Sequence, residues 1–215
     1  VVIAGGGVVG CAIALALARE GCTVALLERD TIGAHASRVA AGMLTPLVGG
    51  DFAHAAASGA QAPLGGDFAH AAAPGDASEP APLPLGRESL AGFPAWVAEL
   101  RERTGIDPGL VASGVLRVAR DAGEAEVLRA RAAAGACDGL TWLDADAARA
   151  REPGLAPAIA GALWSPREGS VGAERLTAAC AQAARALGVR LEEATPVTAL
   201  CREGERVVGV RTPRD

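Results

Sequence analysis

The stretch that decides the fold is Val1-Val2-Ile3-Ala4-Gly5-Gly6-Gly7-Val8-Val9-Gly10, followed by an uncharged run to Ala18 and then by Thr23-Val24-Ala25-Leu26-Leu27-Glu28. Residues 1–18 carry no charge, and a run of about 17–25 apolar residues can span a bilayer. Three successive glycines in the middle of this one weaken any continuous helix. The pattern predicts instead a strand over Val1–Ala4, a glycine turn, a helix over Val8–Glu20 and a second strand over Thr23–Glu28. A strand–helix–strand unit of about 30 residues is what a parallel crossover requires. A strand that is apolar throughout is expected to be buried on both faces of such a sheet.

Gly5, Gly7 and Gly10 satisfy the spacing G-x-G-x-x-G, and here the motif follows a strand and opens a helix. Glu28 ends the second strand 18 residues after Gly10, where a dinucleotide-binding unit places an acid. Each position has a physical task. Gly5 permits the tight turn, Gly7 leaves room for a pyrophosphate against the main chain, and Gly10 lets helix and strand pack closely. The N–H groups and dipole at the helix start favour phosphate. A carboxylate at Glu28 accepts hydrogen bonds from ribose hydroxyls and repels a 2′-phosphate, which disfavours NADP. This spacing alone does not separate NAD from FAD.

Composition narrows the rest. The chain has 215 residues, half of them hydrophobic by a count that alanine inflates, and only 3% aromatic. All 20 basic residues are Arg against 25 acids, for a net charge of −5. That balance argues against nucleic-acid partners, which select a basic excess. Met43 is the only Met, so an initiator is expected to precede Val1. Cys11, Cys22, Cys137, Cys180 and Cys201 form no Cys-x-x-Cys pair and read as reduced, buried thiols of a cytoplasmic protein. His35, His54 and His70 join no metal-ligand pattern, and no metal is expected.

Residues 49–57, Gly-Gly-Asp-Phe-Ala-His-Ala-Ala-Ala, recur identically at 65–73. Two copies make no solenoid, and the region from about 47 to 82 reads as a duplicated surface loop. Beyond it, Leu90, Phe93, Val97 and Leu100 fit one helical face, predicting a helix over Ser89–Thr104 with Pro94 near its start or kinking it. Further expected elements are a strand at Gly114–Ala119, a helix at Asp121–Ala134 capped by Asp121, a strand at Leu140–Leu143 and a helix at Asp144–Arg151. A strand at Ile159–Trp164, a helix at Ala173–Leu187 and strands at Val189–Glu193, Val197–Arg202 and Arg206–Arg211 follow.

With Leu26-Leu27-Glu28-Arg29, the run Ala36-Ser37-Arg38-Val39-Ala40-Ala41-Gly42-Met43-Leu44-Thr45-Pro46 resembles the glycine oxidase (ThiO) branch of the D-amino-acid-oxidase-like flavoproteins. Ala40-Ala41-Gly42-Met43-Leu44-Thr45-Pro46 is the most distinctive piece. Phe93–Leu100, Thr104–Asp107, Glu152-Pro153, Gly161–Leu163, Glu168-Gly169 and Thr195–Val197 are similar to later segments of that family. The likeness spans nearly the whole chain except the duplicated region.

The resemblance implies an α/β fold: an FAD-binding Rossmann-like domain of the glutathione-reductase type over 1–109 and 165–215, and an α+β substrate domain begun by 110–164. It places FAD against Gly5, Gly7, Val8, Val9 and Gly10, the adenosine ribose at Glu28 and Arg29, the pyrophosphate along Ala36 and Ser37, the flavin ring beside Ala41, Gly42 and Met43, and the adenine at the Val197 main chain. Small residues at 40–42 would permit close approach of a flat ring. The implied reaction is FAD-dependent oxidation of glycine or a similar small amino acid by O2, in thiazole synthesis for thiamine, without nucleic-acid or membrane partners and with a homo-oligomer left open. Alternatives are a sarcosine or D-amino-acid oxidase or dehydrogenase, or a non-catalytic truncated FAD-binding fragment. The family's substrate-binding Arg and last glycine-rich segment fall downstream of the matched region. No catalytic residue is assigned here, and this stretch alone is expected to be inactive and poorly soluble. The family's usual Asp at 172 is Gly172, the loss of a cap worth about 1 kcal/mol.

Overall fold

The computed structural model describes residues 1–48 and 82–213, which leaves the 49–57 and 65–73 repeat with His54 and His70 outside the described residues. The chain divides into two compact units. One comprises Val1–Gly42, Pro94–Leu110 and Ser170–Asp215, the other Met43–Phe93 and Val111–Gly169.

The first unit is built on a parallel sheet of β1 (Val2–Ala4), β2 (Ala25–Leu27) and β8 (Arg190–Glu192), in the order β1-β2-β8. Ile3 pairs with Leu26, and Leu26 with Leu191. The helix α1 (Val8–Arg19) makes the crossover from β1 to β2, with Cys11, Ala14 and Leu15 buried. That i, i+3, i+4 spacing puts all three on one face. It packs against α6 (Ala173–Ala186), whose Leu176, Ala179, Cys180, Ala183 and Ala184 repeat the same spacing. Small side chains on both helices explain how an alanine-rich chain builds a core: they let helix axes approach and leave little void. A short helix α2 (Ala36–Val39) follows β2.

One expectation is corrected in this unit. The strand β1 is not buried on both faces: Val2 is 47% exposed, whereas all three residues of β2 are buried. β2 has a partner on each side, while β1 has one among the described residues, which makes it the sheet's edge. The strands β9 (Ala199–Glu203) and β10 (Arg206–Arg211) pair antiparallel with each other, with a register shift between Val207 and Gly209, and do not extend the parallel sheet.

The second unit holds the antiparallel sheet β4-β6-β5, made of β4 (Val115–Ala119), β6 (Gly161–Ser165) and β5 (Thr141–Leu143). Alternation along the strands sets Ala119, Leu163 and Trp142 on one face, and α4 (Ala122–Ala134) supplies Ala125, Leu128 and Ala132 to the same core. The Arg129 guanidinium lies 4.6 Å from the Trp142 ring centroid, and Arg151, at the end of α5 (Ala145–Arg151), lies 4.0 Å from that of Trp164. Asp121 caps α4 by accepting from Glu124 N–H at 2.9 Å, as its position before the helix predicts. The two-residue strands β3 (Met43–Leu44) and β7 (Gly169–Ser170) complete the set.

Leu47 and Val48 are each 3% exposed and belong to the core of the second unit. The stretch expected to be surface loop from 47 therefore begins as core. The second unit takes in Met43–Phe93, and the first resumes from Pro94 to Leu110. The helix α3 (Pro82–Thr104) starts seven residues before the expected Ser89 and continues through Pro94. Prolines read as breakers, yet in a first turn they lose no main-chain bond, since those N–H groups have no partner in the helix. At Pro94 one interior bond is lost and the helix persists. The thiols also differ from expectation: Cys11 and Cys180 are buried, but Cys22 and Cys137 are exposed.

Leu163 has no exposed surface, so Leu163→Ala removes transfer energy and leaves a cavity. Urea unfolding should show a loss of about 2–5 kcal/mol for Leu163→Ala, against about 1 kcal/mol for Asp121→Ala.

Candidate functional site: the glycine turn and its acid

The glycine turn combines a left-handed bend at Gly5 with close approaches at Gly6, Gly7 and Gly10. Gly5 has φ +109°, in the region only glycine enters freely. A Cβ on Gly10 would fall on the Gly5 carbonyl oxygen and lie 3.5 Å from Ile3, so α1 sits directly against the end of β1. A Cβ on Gly7 would lie 2.9 Å from Ser37 Oγ. Gly5 N–H donates to the Leu27 carbonyl at 2.8 Å, tying the turn to β2.

Glu28 is 6% exposed and binds the turn from the other side. Gly6 N–H donates to Oε2 at 2.6 Å and Asp30 N–H to Oε1 at 3.0 Å. Burial works to raise the Glu28 carboxyl. The two N–H donors, with the charges of His35 and Arg29, outweigh it and hold the group below its ordinary range. Each oxygen keeps a further lone pair for a hydroxyl. The acid thus has a structural task that its position after β2 does not reveal.

At the start of α1 no acid stands in the first turn, and Gly7 supplies no side-chain cap. Val8 N–H donates to Ser37 Oγ at 2.9 Å. As an acceptor from Val8, the hydroxyl keeps its own proton for an anion. Ala36 is exposed, Val9 is 67% exposed and Arg29 is exposed. Gly42 has φ +70°, and a Cβ there would fall on the Val171 carbonyl oxygen. Val171 N–H donates to the Gly42 carbonyl at 2.9 Å, next to the start of α6. Gly172 at that start leaves no room for the missing cap: a Cβ would lie 2.9 Å from the Pro108 carbonyl oxygen. Val197 follows Thr195, whose N–H donates to the Glu28 carbonyl at 2.8 Å.

Gly5, Gly7, Val8, Val9, Gly10, Glu28, Arg29, Ala36, Ser37, Ala41, Gly42 and Val197 all belong to the first unit, while Met43, 52% exposed, opens the second. Sequence reasoning missed Gly6, whose Cβ would lie 3.0 Å from Glu28 Cβ. Its burial is what brings its N–H onto the carboxylate. Cys11, beside this turn, is pushed up to about 11 by burial and by the Glu28 charge, and Cys180 to about 12, mainly by burial. Both stay protonated thiols at neutral pH. Among the described residues no three His, Cys, Asp or Glu side chains are arranged to hold a metal, and no helix is long and apolar enough to cross a membrane.

The whole chain, residues 1–215, matches the model of the DAO family, the FAD-dependent oxidoreductases. The chain belongs to that family. Glycine oxidase of Geobacillus kaustophilus is 39% identical over 201 residues, covering 92% of this chain and 46% of that protein. Its crystal structure matches with a TM-score of 0.76 at 37% identity, over 93% of this chain and 48% of that one. The glycine oxidase structure from Bacillus cereus matches with a TM-score of 0.77 at 33% identity, over 99% of this chain and 51% of that one. The bifunctional protein ThiO/ThiG of Synechocystis is 31% identical over 217 residues, 99% of this chain and 27% of that protein. The chain therefore spans about half the length of the glycine oxidases it matches. The family's cofactor, FAD, fits the residues present: a turn without side chains from Gly5 to Gly7, a helix start with no acid in its first turn and a carboxylate with lone pairs to spare.

Because the Glu28 carboxyl is held below its ordinary value of 4.5, its ionised form stabilises the fold at pH above that value. The stabilisation is lost as pH falls through the folded value. Glu28→Gln should therefore be less stable than the parent at pH 7, with the gap closing on acidification in urea titrations.

Proposed function

We propose that the protein carrying this chain is an FAD-dependent oxidase of glycine or a similar small amino acid, and that the first unit holds the FAD while the second begins the substrate domain. The single observation that carries the reading is the Glu28 carboxylate bound to the Gly6 N–H, beneath an α1 start with no competing acid. Similarity to glycine oxidases over more than nine-tenths of the chain supports the substrate class. Similarity to ThiO/ThiG supports a place in thiazole synthesis for thiamine.

Bound FAD would supply the two-electron acceptor for loss of hydride from the substrate Cα, which leaves the imine, with O2 as final acceptor yielding H2O2. The chain's own part is binding and orientation. The α1 start and the Ser37 hydroxyl take the pyrophosphate, with Val8, Val9 and Ala36 along it. Glu28 accepts from the adenosine ribose, with Arg29 beside it, and the Val197 main chain meets the adenine. Ala41, Gly42 and Met43 run beside the ring, with Gly42 held against the Val171 carbonyl. An amine arriving neutral needs no general base, and no residue of this chain is assigned one. The setting is cytoplasmic, with a small amino acid and O2 as the molecules met.

The purified protein should be yellow, and glycine should yield H2O2 faster than sarcosine or D-alanine in a peroxidase-coupled assay. A colourless protein that takes up no added FAD would sink the reading. Glu28→Ala removes a charged acceptor worth about 1.5–3 kcal/mol, so FAD affinity should fall roughly 10- to 100-fold in a fluorescence titration. Unchanged affinity removes the ribose role.

A further inference from the structure

Glu168 lies in the second unit with no exposed surface, and the FAD reading assigns it no task. Its Oε1 accepts from Leu47 N–H at 2.5 Å and from Val48 N–H at 3.2 Å. The carbonyls of the same two residues are taken by arginines: Arg131 Nε donates to the Leu47 oxygen at 2.6 Å, and an Arg117 terminal nitrogen to the Val48 oxygen at 2.7 Å. Every main-chain polar group of this dipeptide is thus met by an ionisable side chain. The three come from different places in the unit: Arg117 from β4, Arg131 from α4, and Glu168 from just before β7.

Ordinary turns satisfy their main chain with neighbouring main chain or water. A fully enclosed carboxylate is costly, and charge-assisted bonds are the shorter, stronger class. Four bonds from three side chains hold the main chain of these two residues more rigidly than burial of the Leu47 and Val48 side chains alone. Three residues upstream of Leu47 lies the end of β3, Met43–Leu44.

We infer that Glu168, Arg117 and Arg131 form a main-chain clamp on Leu47–Val48 whose task is to position β3 and, with it, Met43. Glu168 is a positioning residue: it touches neither substrate nor cofactor and acts through the dipeptide. The consequence for Met43 rests on the reading that this residue lies beside the flavin. The clamp itself does not.

The test follows amide exchange and the flavin in the FAD-loaded protein. Glu168→Ala should speed exchange at Leu47 and Val48 by about tenfold or more, leave the Leu26 amide of the other unit unchanged, shift the bound-flavin absorption bands and lower kcat more than it raises KM. Glu168→Gln keeps an acceptor at Oε1 and should restore most of the protection and the spectrum. Unchanged exchange in the Ala variant overturns the clamp. Faster exchange with an unaltered spectrum and unaltered kinetics overturns its positioning role. Should the Ala variant fail to fold, Arg131→Met removes the Leu47 carbonyl's partner, and unchanged exchange at both amides there overturns the inference equally. A parent protein that takes up no FAD sinks the preceding reading instead, and the exchange measurement alone then decides the clamp.

Discussion

Gly6 can donate its N–H to Glu28 only because nothing but hydrogen stands on its α-carbon, and most of the first unit follows from that bond. It joins the turn after β1 to the residue that follows β2. The parallel pairing of those strands, Ile3 with Leu26, brings the two ends together, and the carboxylate then fixes the turn's N–H groups in direction. With the turn held, Gly10 can meet the Gly5 carbonyl and α1 can start where it does, its first N–H donating to Ser37 Oγ. Asp30 N–H on the second oxygen carries the same constraint into the chain after β2. Thr195 N–H on the Glu28 carbonyl extends it to the segment after β8.

Two buried acids in this chain titrate in opposite directions: Glu28 takes one main-chain donor on each oxygen, and Glu168 takes both on Oε1. Glu28 and Glu168 each accept two main-chain N–H groups. Burial is the largest influence on both. At Glu28 the donors, with His35 and Arg29, overcome it. At Glu168 burial wins over Leu47 N–H, Val48 N–H and Arg131, and the carboxyl is pushed up. The difference lies in access to water: Glu28 stands at the rim of a cradle, Glu168 wholly inside a core. An acid at a rim stays charged and can meet a hydroxyl. An acid inside a core serves the main chain around it.

This contrast also marks what could be read in the sequence. β1, the turn, α1 and β2 were legible because each rests on local properties: apolar runs, glycine spacing, an acid at a fixed distance. The cap at Asp121 was legible for the same reason. The start of α3 at Pro82 was not, because proline's effect depends on where in the helix it falls. The edge position of β1 was not, because an apolar strand has the same composition whether or not a neighbour covers it. Leu47 and Val48 read as loop because the signal there was the repeat that follows them, and their burial depends on β4, α4 and β6, far away in the chain.

The site divides along the same line. Gly5, Gly7, Gly10 and Glu28 carry a spacing signal in the first 28 residues, and the contact of Gly10 with the Gly5 carbonyl and Ile3 is the close helix–strand packing that the spacing implies. Ser37, Gly42 and Val197 have no spacing rule of their own and stood out only through resemblance. Their places follow from tertiary contacts: Ser37 from the Val8 N–H, Gly42 from the Val171 carbonyl, Val197 from Thr195 on the end of β2. Gly172 shows the reverse case. Read against its family, it is a missing cap. Against the Pro108 carbonyl it is a residue with no room for a side chain, so an acid restored there would have to displace main chain before it could cap α6.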